Sequence, residues 1–445
     1  MIVNSRQRWL VISHAFNMDG RAASQTITDK LPHLKQAGIE IVVLSGVSGR
    51  QDTEFEHHQL WPMGPAGFRF ELRHVLSRRL GKGIRYRLLM LLASVILFPW
   101  MLLEKWFRPV ESSWSWWFSA YLKGRALARH KPFDLIYSTG GAFAAHLAAR
   151  SLKNVTNTPW LAEVHDPLVI PGELPVSAQQ KMQAEVERLI CTHADIAIWF
   201  TEQALASALR RHPQLAERGK MMLPGVDKPF EILPPYQPGQ KFVIGHFGSL
   251  SSSRHLGAVI FALEILHKRR PELVDVTELH VYGGPLDPVS SVALTHSSVG
   301  HCVRHFGRIE ADPLTGLSGR EQILYRMRSV NVLLLLHGED AICSEYIPSK
   351  LYEYLWMQRP ILAIVHRNPQ MAALIREQGH LVVASGQDGF DRSVVSRELV
   401  VCLGELYDRW QAAGLTDNGL ASFYTTKAAV DQLLGWVKQA QKVSL

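Results

Sequence analysis

Cysteine is scarce in this chain, with four in 445 residues, at positions 191, 302, 343 and 402. No two lie close in sequence, which excludes a zinc-type or redox pair, and their sparseness suits a reducing compartment. The apolar core of a signal peptide is also lacking, because residues 1–9 are polar and lead into a strand. The expected location is therefore cytoplasmic. No period of the solenoid kind is found, and no long stretch is both polar and low in complexity, so global disorder is excluded. The loop at 14–24 lacks Gly-x-Gly-x-x-Gly spacing, which argues against a dinucleotide-dependent oxidoreductase.

What is present is ordinary globular material, 47% hydrophobic and 20% charged. The length exceeds one typical core and fits two domains with room for an insertion. Apolar runs at 9–13 and 39–44 flank a helical pattern at 25–36, which makes a βαβ unit and a parallel sheet. The same grammar returns with strands at 135–137, 160–164, 196–199 and 221–223 and helices at 178–193 and 201–211. Four prolines between 226 and 240 make a stiff connector. A second series follows, with strands at 242–246, 278–282, 303–306, 330–336, 361–365 and 380–383, and helices in the tail. The expected fold class is α/β, with two Rossmann-like doubly wound domains facing a central cleft and a hydrophobic helical insertion in the first. The domains are 1–225, with the insertion at about 68–120, a linker at 226–240, a second domain at 241–400, and helices at 401–445 packing back toward the first. Ligands of such sheets bind at the strand C-terminal ends.

The net charge of +8 is local in origin. Between 68 and 87 stand Arg69, Arg73, Arg78, Arg79, Lys82, Arg85 and Arg87 against Glu71 alone. Residues 88–103 then run without a charge, ringed by Trp100, Trp106, Trp114, Trp116 and Trp117. One reading is a buried helix or helical hairpin. The other is an interfacial attachment, since tryptophan favours the headgroup level and cations favour anionic leaflets. Spanning is disfavoured because the stretch lies between strands of one sheet. Nucleic acid is not an expected partner, because the patch adjoins greasy rather than polar sequence.

The strongest chemical signal is Glu345-Tyr346-Ile347-Pro348-Ser349-Lys350-Leu351-Tyr352-Glu353-Tyr354-Leu355. Pro348 suits a first helical turn, and a helix from there to about 357 would aim amides and a positive dipole end at a phosphate. Lys350 adds charge, and Glu353 shares its helix face. The competing reading is a solvated helix start with an intrahelical ion pair.

Two glutamates eight positions apart around Pro-Ser-Lys-Leu-Tyr resemble the donor motif of retaining family-4 glycosyltransferases of the GT-B fold. The segment Pro159-Trp160-Leu161-Ala162-Glu163-Val164-His165-Asp166-Pro167 resembles the family's tryptophan-containing strand and turn, with His165 where arginine is common and Leu168 where tryptophan is common. Residues 245–254 resemble its Gly-Ser phosphate loop, and 14–24 take the place of its acceptor loop, with Asp19, Gly20 and Arg21 instead of paired glycines. The resemblance implies Glu353 on the ribose and Glu345 on the donor sugar. It implies Lys350, Arg254 and Ser249 on the diphosphate, with Ser349 and Leu351 in the same turn. Arg308 and Ile309 would line the base pocket, and His165 and Asp166 would face the reacting sugar.

It further implies sugar transfer with retention. No Asp-x-Asp element stands in the motif region, so neither metal nor cofactor is expected. The interfacial reading of the insertion points to a membrane-associated, lipid-linked saccharide acceptor at the inner face of the cytoplasmic membrane, as in surface-polysaccharide assembly. Other readings are an epimerase or inverting transferase on the same fold, or a non-catalytic sugar-nucleotide-binding scaffold.

Overall fold

The computed structural model describes residues 7–18, 21–140, 142–312, 314–385, 392–415 and 422–443. The first half of the chain runs β1 (Arg8–Ile12), α1 (Ala22–Gln36), β2 (Glu40–Gly46), β3 (Glu56–Leu60), α2 (Pro65–Leu80), α3 (Ile84–Phe107), α4 (Trp116–His130), β4 (Leu135–Thr139), α5 (Phe143–Thr156), β5 (Trp160–Val164), α6 (Ala178–His193), β6 (Ile196–Trp199), α7 (Glu202–Arg211) and β7 (Gly219–Met221). Its strands form one sheet in the order β3-β2-β1-β4-β5-β6-β7, parallel throughout. Both faces are covered, which explains why strand 9–12 reads as unbroken apolar sequence. Leu10 and Ile12 join one core with Trp160, Ala148 and Trp116. Trp9 and Val11 join the other with Ile27, Leu31 and Leu433.

The second half runs β8 (Phe242–Phe247), α8 (Gly257–Arg269), β9 (Thr277–Tyr282), α9 (Pro288–Thr295), β10 (Val303–Gly307), α10 (Gly319–Ser329), β11 (Val332–Leu336), α11 (Lys350–Trp356), β12 (Ile361–His366), α12 (Pro369–Glu377), β13 (Leu381–Ser385) and α13 (Arg392–Ala413), followed by α14 (Thr426–Val443). Its sheet has the order β10-β9-β8-β11-β12-β13 and is again parallel. Chain contacts divide the molecule into 1–227 with 425–445, and 228–424. Of the two tail helices, α14 packs on α1 in the first unit, while α13 packs on α8 in the second.

The insertion is a helical hairpin. Glu104 of α3 accepts from the Ala66 amide at 2.8 Å and from Trp114 Nε1 at 2.7 Å, and so satisfies a start-of-helix donor of α2. Gly64 precedes α2 because a side chain there would overlap the Glu104 carboxylate and the Ser115 hydroxyl. At the other end, Arg78 donates to the carbonyls of Val47, Ser48 and Gly49, tying α2 to the loop after β2. α3 has 24 residues, longer than the uncharged stretch alone suggests, and is long and apolar enough to cross a membrane. Leu88, Leu92, Ile96, Trp100 and Trp106 are all exposed on it.

Candidate functional site

In each sheet, the order in which successive strands are laid down reverses between two adjacent parallel strands, and crevices for ligands open at the C-terminal ends of such pairs. In the second domain these strands are β8 and β11. The loops that follow them carry most of the residues that the resemblance places at the donor. Glu339 N donates to Ser253 O at 2.8 Å, joining the two loops directly. Ser251 and Arg254 exchange backbone bonds of 2.9 and 3.1 Å, which closes the first loop into a tight turn. A side chain at Gly283 would overlap the Gly248 carbonyl, so the turn after β9 presses against the start of this loop.

Arg254 donates to the Tyr346 hydroxyl, and its guanidinium lies 6.0 Å from that ring. Its Nε is buried without a hydrogen-bond partner. Glu345 ends the 3-10 turn Ala341–Glu345 and is buried. The backbone beside it is pinned from two sides. Asn368 Nδ2 donates to the carbonyls of Tyr346 at 3.0 Å and Cys343 at 3.3 Å. His337 Nδ1 accepts from the His366 amide at 3.2 Å, which assigns the ring proton to Nε2 and directs it at the Tyr346 carbonyl, 3.3 Å away. Burial first, and then the neighbouring His366, push the His337 pKa down to about 4. That ring is a neutral brace rather than an acid.

α11 is shorter than the sequence suggests, at seven residues. The amides of Leu351 and Tyr352 bond back to the carbonyls of Pro348 and Ser349 at 3.0 and 3.2 Å. Fewer amides are therefore left for a phosphate than a helix from 348 would offer, and the Leu351 side chain is core. Ser349 makes no side-chain cap bond. Lys350 Nζ lies 2.5 Å from Glu353 Oε2, and Arg320 lies 3.6 Å from Glu353 Oε1. The intrahelical ion pair thus exists, with a second cation on the same carboxylate. Arg320 escapes sequence reading because it lies 33 positions before Glu353. The signal that could have found it is the capping box of Ser318 and Glu321, which starts α10 beside it. A side chain on Gly319 would overlap the Ile309 carbonyl, so Ile309 lies against that helix start. Arg308 and Ser249 are exposed on their loops.

In the first domain, His165 follows β5. Its Nε2 lies 2.8 Å from both Thr139 Oγ1 and Glu163 Oε1, and its ring stacks on Phe200 at 4.9 Å. Glu163 is fully buried and also meets Lys30 Nζ at 2.5 Å and the Tyr137 hydroxyl at 2.6 Å. Burial alone would raise the Glu163 pKa, but Lys30 and His165 hold it well below the carboxylate range. The Lys30 ammonium is pushed down by burial, against the pull of Glu163. Sequence reading assigned no role to this network, yet a lysine among Ile27, Leu31 and Leu34 and a glutamate inside an apolar strand mark it. Asp166 is exposed. Asp19 and Gly20 lie outside the described residues. Arg21 precedes α1 and lies 5.9 Å from the Phe70 ring.

No family model and no curated protein matches the chain. Solved structures do match over nearly the full length. HepE of Anabaena in complex with UDP is 13% identical, with a TM-score of 0.57, covering 97% of this chain and 100% of its own. Sucrose-phosphate synthase from Thermosynechococcus elongatus is 14% identical, with a TM-score of 0.60 and coverage of 98% and 100%. TarM is 8% identical, with a TM-score of 0.63 and coverage of 98% and 99%. At these identities the likeness shows the fold, two parallel-sheet α/β domains of the GT-B type.

Proposed function

We propose that the protein is a glycosyltransferase that moves a sugar from a nucleotide-sugar donor, with retention, to a membrane-associated, lipid-linked saccharide in surface-polysaccharide assembly. One observation carries this reading. The switch point of the second domain brings the loop of Arg254 against that of Glu345 and Tyr346, and α11 follows with Lys350 and Glu353. HepE, of the same fold, binds UDP.

In this reading Arg254 and Lys350 neutralise the charge that develops on the departing diphosphate, with Ser249 and Ser349 beside them. Fixed cations in a dry site act as an oxyanion hole does, without needing to reorganise. Glu353, held by Lys350 and Arg320 until the nucleotide arrives, accepts the ribose hydroxyls. Glu345 accepts from the donor sugar. Arg308 and Ile309 border the base, and His165 and Asp166 serve the reacting sugar from the first domain. With cations supplied by the chain, the reaction needs neither metal nor cofactor. The protein works as a peripheral component at the inner face of the cytoplasmic membrane. Its insertion lies in the interface rather than across it, because a single crossing by α3 would separate β1 from its neighbour β4.

The test is direct. Glu345→Gln and Lys350→Ala should each lower transfer at least a hundredfold in an assay of nucleotide sugars with membrane lipid, while thermal unfolding stays that of wild type. Transfer at the wild-type rate in either variant overturns the donor-site assignment. Mass analysis of the product, with the anomeric configuration read by NMR, decides retention against inversion.

A further inference from the structure

Along α3, Leu97, Trp100, Leu103 and Phe107 recur every three or four residues and so share one face of the helix. Met63 and Phe68 meet them from the start of α2, and together these side chains line a groove of about 550 Å³. Sites for small molecules typically measure roughly 300–1,000 Å³. Ala66 and Gly67, between the α2 contributions, add almost no side chain to fill it. One wall is set by the Phe68 ring, which packs on Trp61 with centroids 4.8 Å apart.

Glu104 is the charged member of the lining, and both its oxygens are engaged, by the Ala66 amide at 2.8 Å and by Trp114 Nε1 at 2.7 Å. The carboxylate ties α3 to α2 within the lining itself, so the walls keep a set spacing. It has little left to offer a polar ligand, and the other lining side chains are apolar or aromatic. Trp100, Leu103 and Phe107 belong both to the groove and to the exposed apolar face of α3, so the two surfaces are continuous. Trp106 is exposed at the same end of α3, and so are the cations Lys105 and Arg108. Apolar groove, tryptophan and cations match in turn the hydrocarbon chain, the interfacial region and the phosphate of an anionic lipid. With α3 lying at the boundary of headgroups and acyl chains, the groove beside it reaches acyl-chain depth. A gap there that side chains do not fill forfeits dispersion contacts, and a flexible methylene chain restores them.

We propose that the groove between α2 and α3 is a binding site for one hydrocarbon chain of an anionic membrane phospholipid, whose phosphate lies at Lys105 and Arg108. The protein then holds a single lipid in fixed stoichiometry, in addition to resting its apolar helix in the interface. The two contacts differ in kind. The exposed row of α3 and the basic tip act on the membrane as a surface, whereas the groove encloses one chain and saturates. Salt weakens only the phosphate contact, since the chain contact carries no charge to screen.

This inference rests on the interfacial reading of the insertion and is independent of glycosyl transfer. The probe is lysophosphatidylglycerol, a single-chain anionic phospholipid, titrated calorimetrically below its micelle concentration into the full-length protein, with lysophosphatidylcholine for comparison and native mass spectrometry to count bound lipid. The expected result is saturation at one lipid per protein. Met63→Glu and Leu103→Glu, both at exposed positions of the lining, should each weaken binding at least tenfold without altering thermal unfolding. Val155→Glu, an exposed apolar position on α5, brings the same charge elsewhere and should bind as wild type. Lys105→Gln with Arg108→Gln should reduce the preference for the glycerol over the choline headgroup and leave one chain bound. Equal affinity in wild type and the two lining variants overturns the proposal, and so does uptake of many lipids without saturation. Self-association of wild type that is lost in the lining variants, with no lipid bound, would make a second copy the occupant and overturn it as well. Sedimentation with anionic vesicles separates the two levels. Vesicle binding without saturable chain binding overturns the groove alone, while failure of wild type to bind vesicles overturns the interfacial reading, and the groove with it.

Discussion

Lys30 and Glu163 meet at 2.5 Å, both with no side-chain exposure, beside a core cluster that includes Ile27, Leu31, Tyr137 and Leu161. Such a pair gains little over a hydrophobic one, but breaking it leaves a bare buried charge. Lys30→Met alone should cost about 3–5 kcal/mol, and Glu163→Gln a similar amount. The double variant should recover part of this loss, because no isolated charge remains. Urea unfolding of the three proteins checks this, and additive losses would show that the two residues do not act as a pair. His165 feels the same pair, since Glu163 Oε1 lies 2.8 Å from its Nε2. Glu345, Lys350 and Glu353, expected at the donor, could be picked out together in the sequence because they lie within one nine-residue segment. Arg320, His337 and Asn368 could not, because each reaches the site from a separate element, and only the sheet order brings those elements together. Pro348 pointed to a helix start two residues earlier than the one found, since the first amides close a tighter turn instead.

At the scale of elements, the hairpin of α2 and α3 presents two different surfaces. Toward the sheet it buries Glu71 and anchors Arg78, while α3 offers solvent a row of exposed leucines, isoleucines and tryptophans. A contiguous exposed apolar patch of this extent marks an interaction site. A groove of about 550 Å³ between the two helices, lined by Met63, Phe68, Leu97, Trp100, Leu103 and Phe107, continues it. The basic residues do not all serve one purpose. Arg78 is bonded to three carbonyls and Arg69 to the Ser94 hydroxyl, so replacing them would disturb the hairpin itself. Arg79, Arg85 and Arg87 are exposed at the tip. Changing these three to glutamine should leave unfolding unaltered and weaken sedimentation with anionic vesicles at low salt. At about 1 kcal/mol per basic residue near an anionic surface, the loss should approach a hundredfold. Leu88→Ser with Leu92→Ser and Ile96→Ser should weaken vesicle binding at every salt concentration, since the apolar contribution is not screened. Binding that persists unchanged in both sets would rule out the hairpin as the membrane contact. The presence of an apolar insertion was legible from 88–103. Its length was not, because α3 takes in charged residues at both ends that break the run without breaking the helix.

Across the whole molecule, the notable chemical feature is a set of histidines kept neutral by burial. In the first domain, His57 is pushed down to about 4 and His146 to about 3. In the second, His246, His337, His366 and His380 are each pushed down to about 4. Desolvation is the first cause in every case. An unfolded histidine takes a proton near 6.5, whereas these folded ones refuse it until the pH is far lower. Below 6.5 the unfolded chain therefore binds more protons than the folded one, and stability falls with falling pH. Their contribution is fully present above 6.5 and is lost as the pH drops toward 4. Each fully buried histidine contributes up to about 1.4 kcal/mol per pH unit in that window. The carboxylates held low by cations, such as Glu40 with Lys131 and Glu163 with Lys30, lose their contribution only at more acid pH. The two effects are therefore separable. The urea midpoint should be flat from pH 8 to 7, fall steeply between 6.5 and 5, and fall first for the second domain, which holds four of the six histidines. Because His337 braces the Tyr346 carbonyl beside Glu345, nucleotide affinity should decline over the same interval. A midpoint that stayed constant down to pH 5 would show that these rings protonate in the folded state as readily as in the unfolded one, and that the brace at Tyr346 survives a charged imidazole.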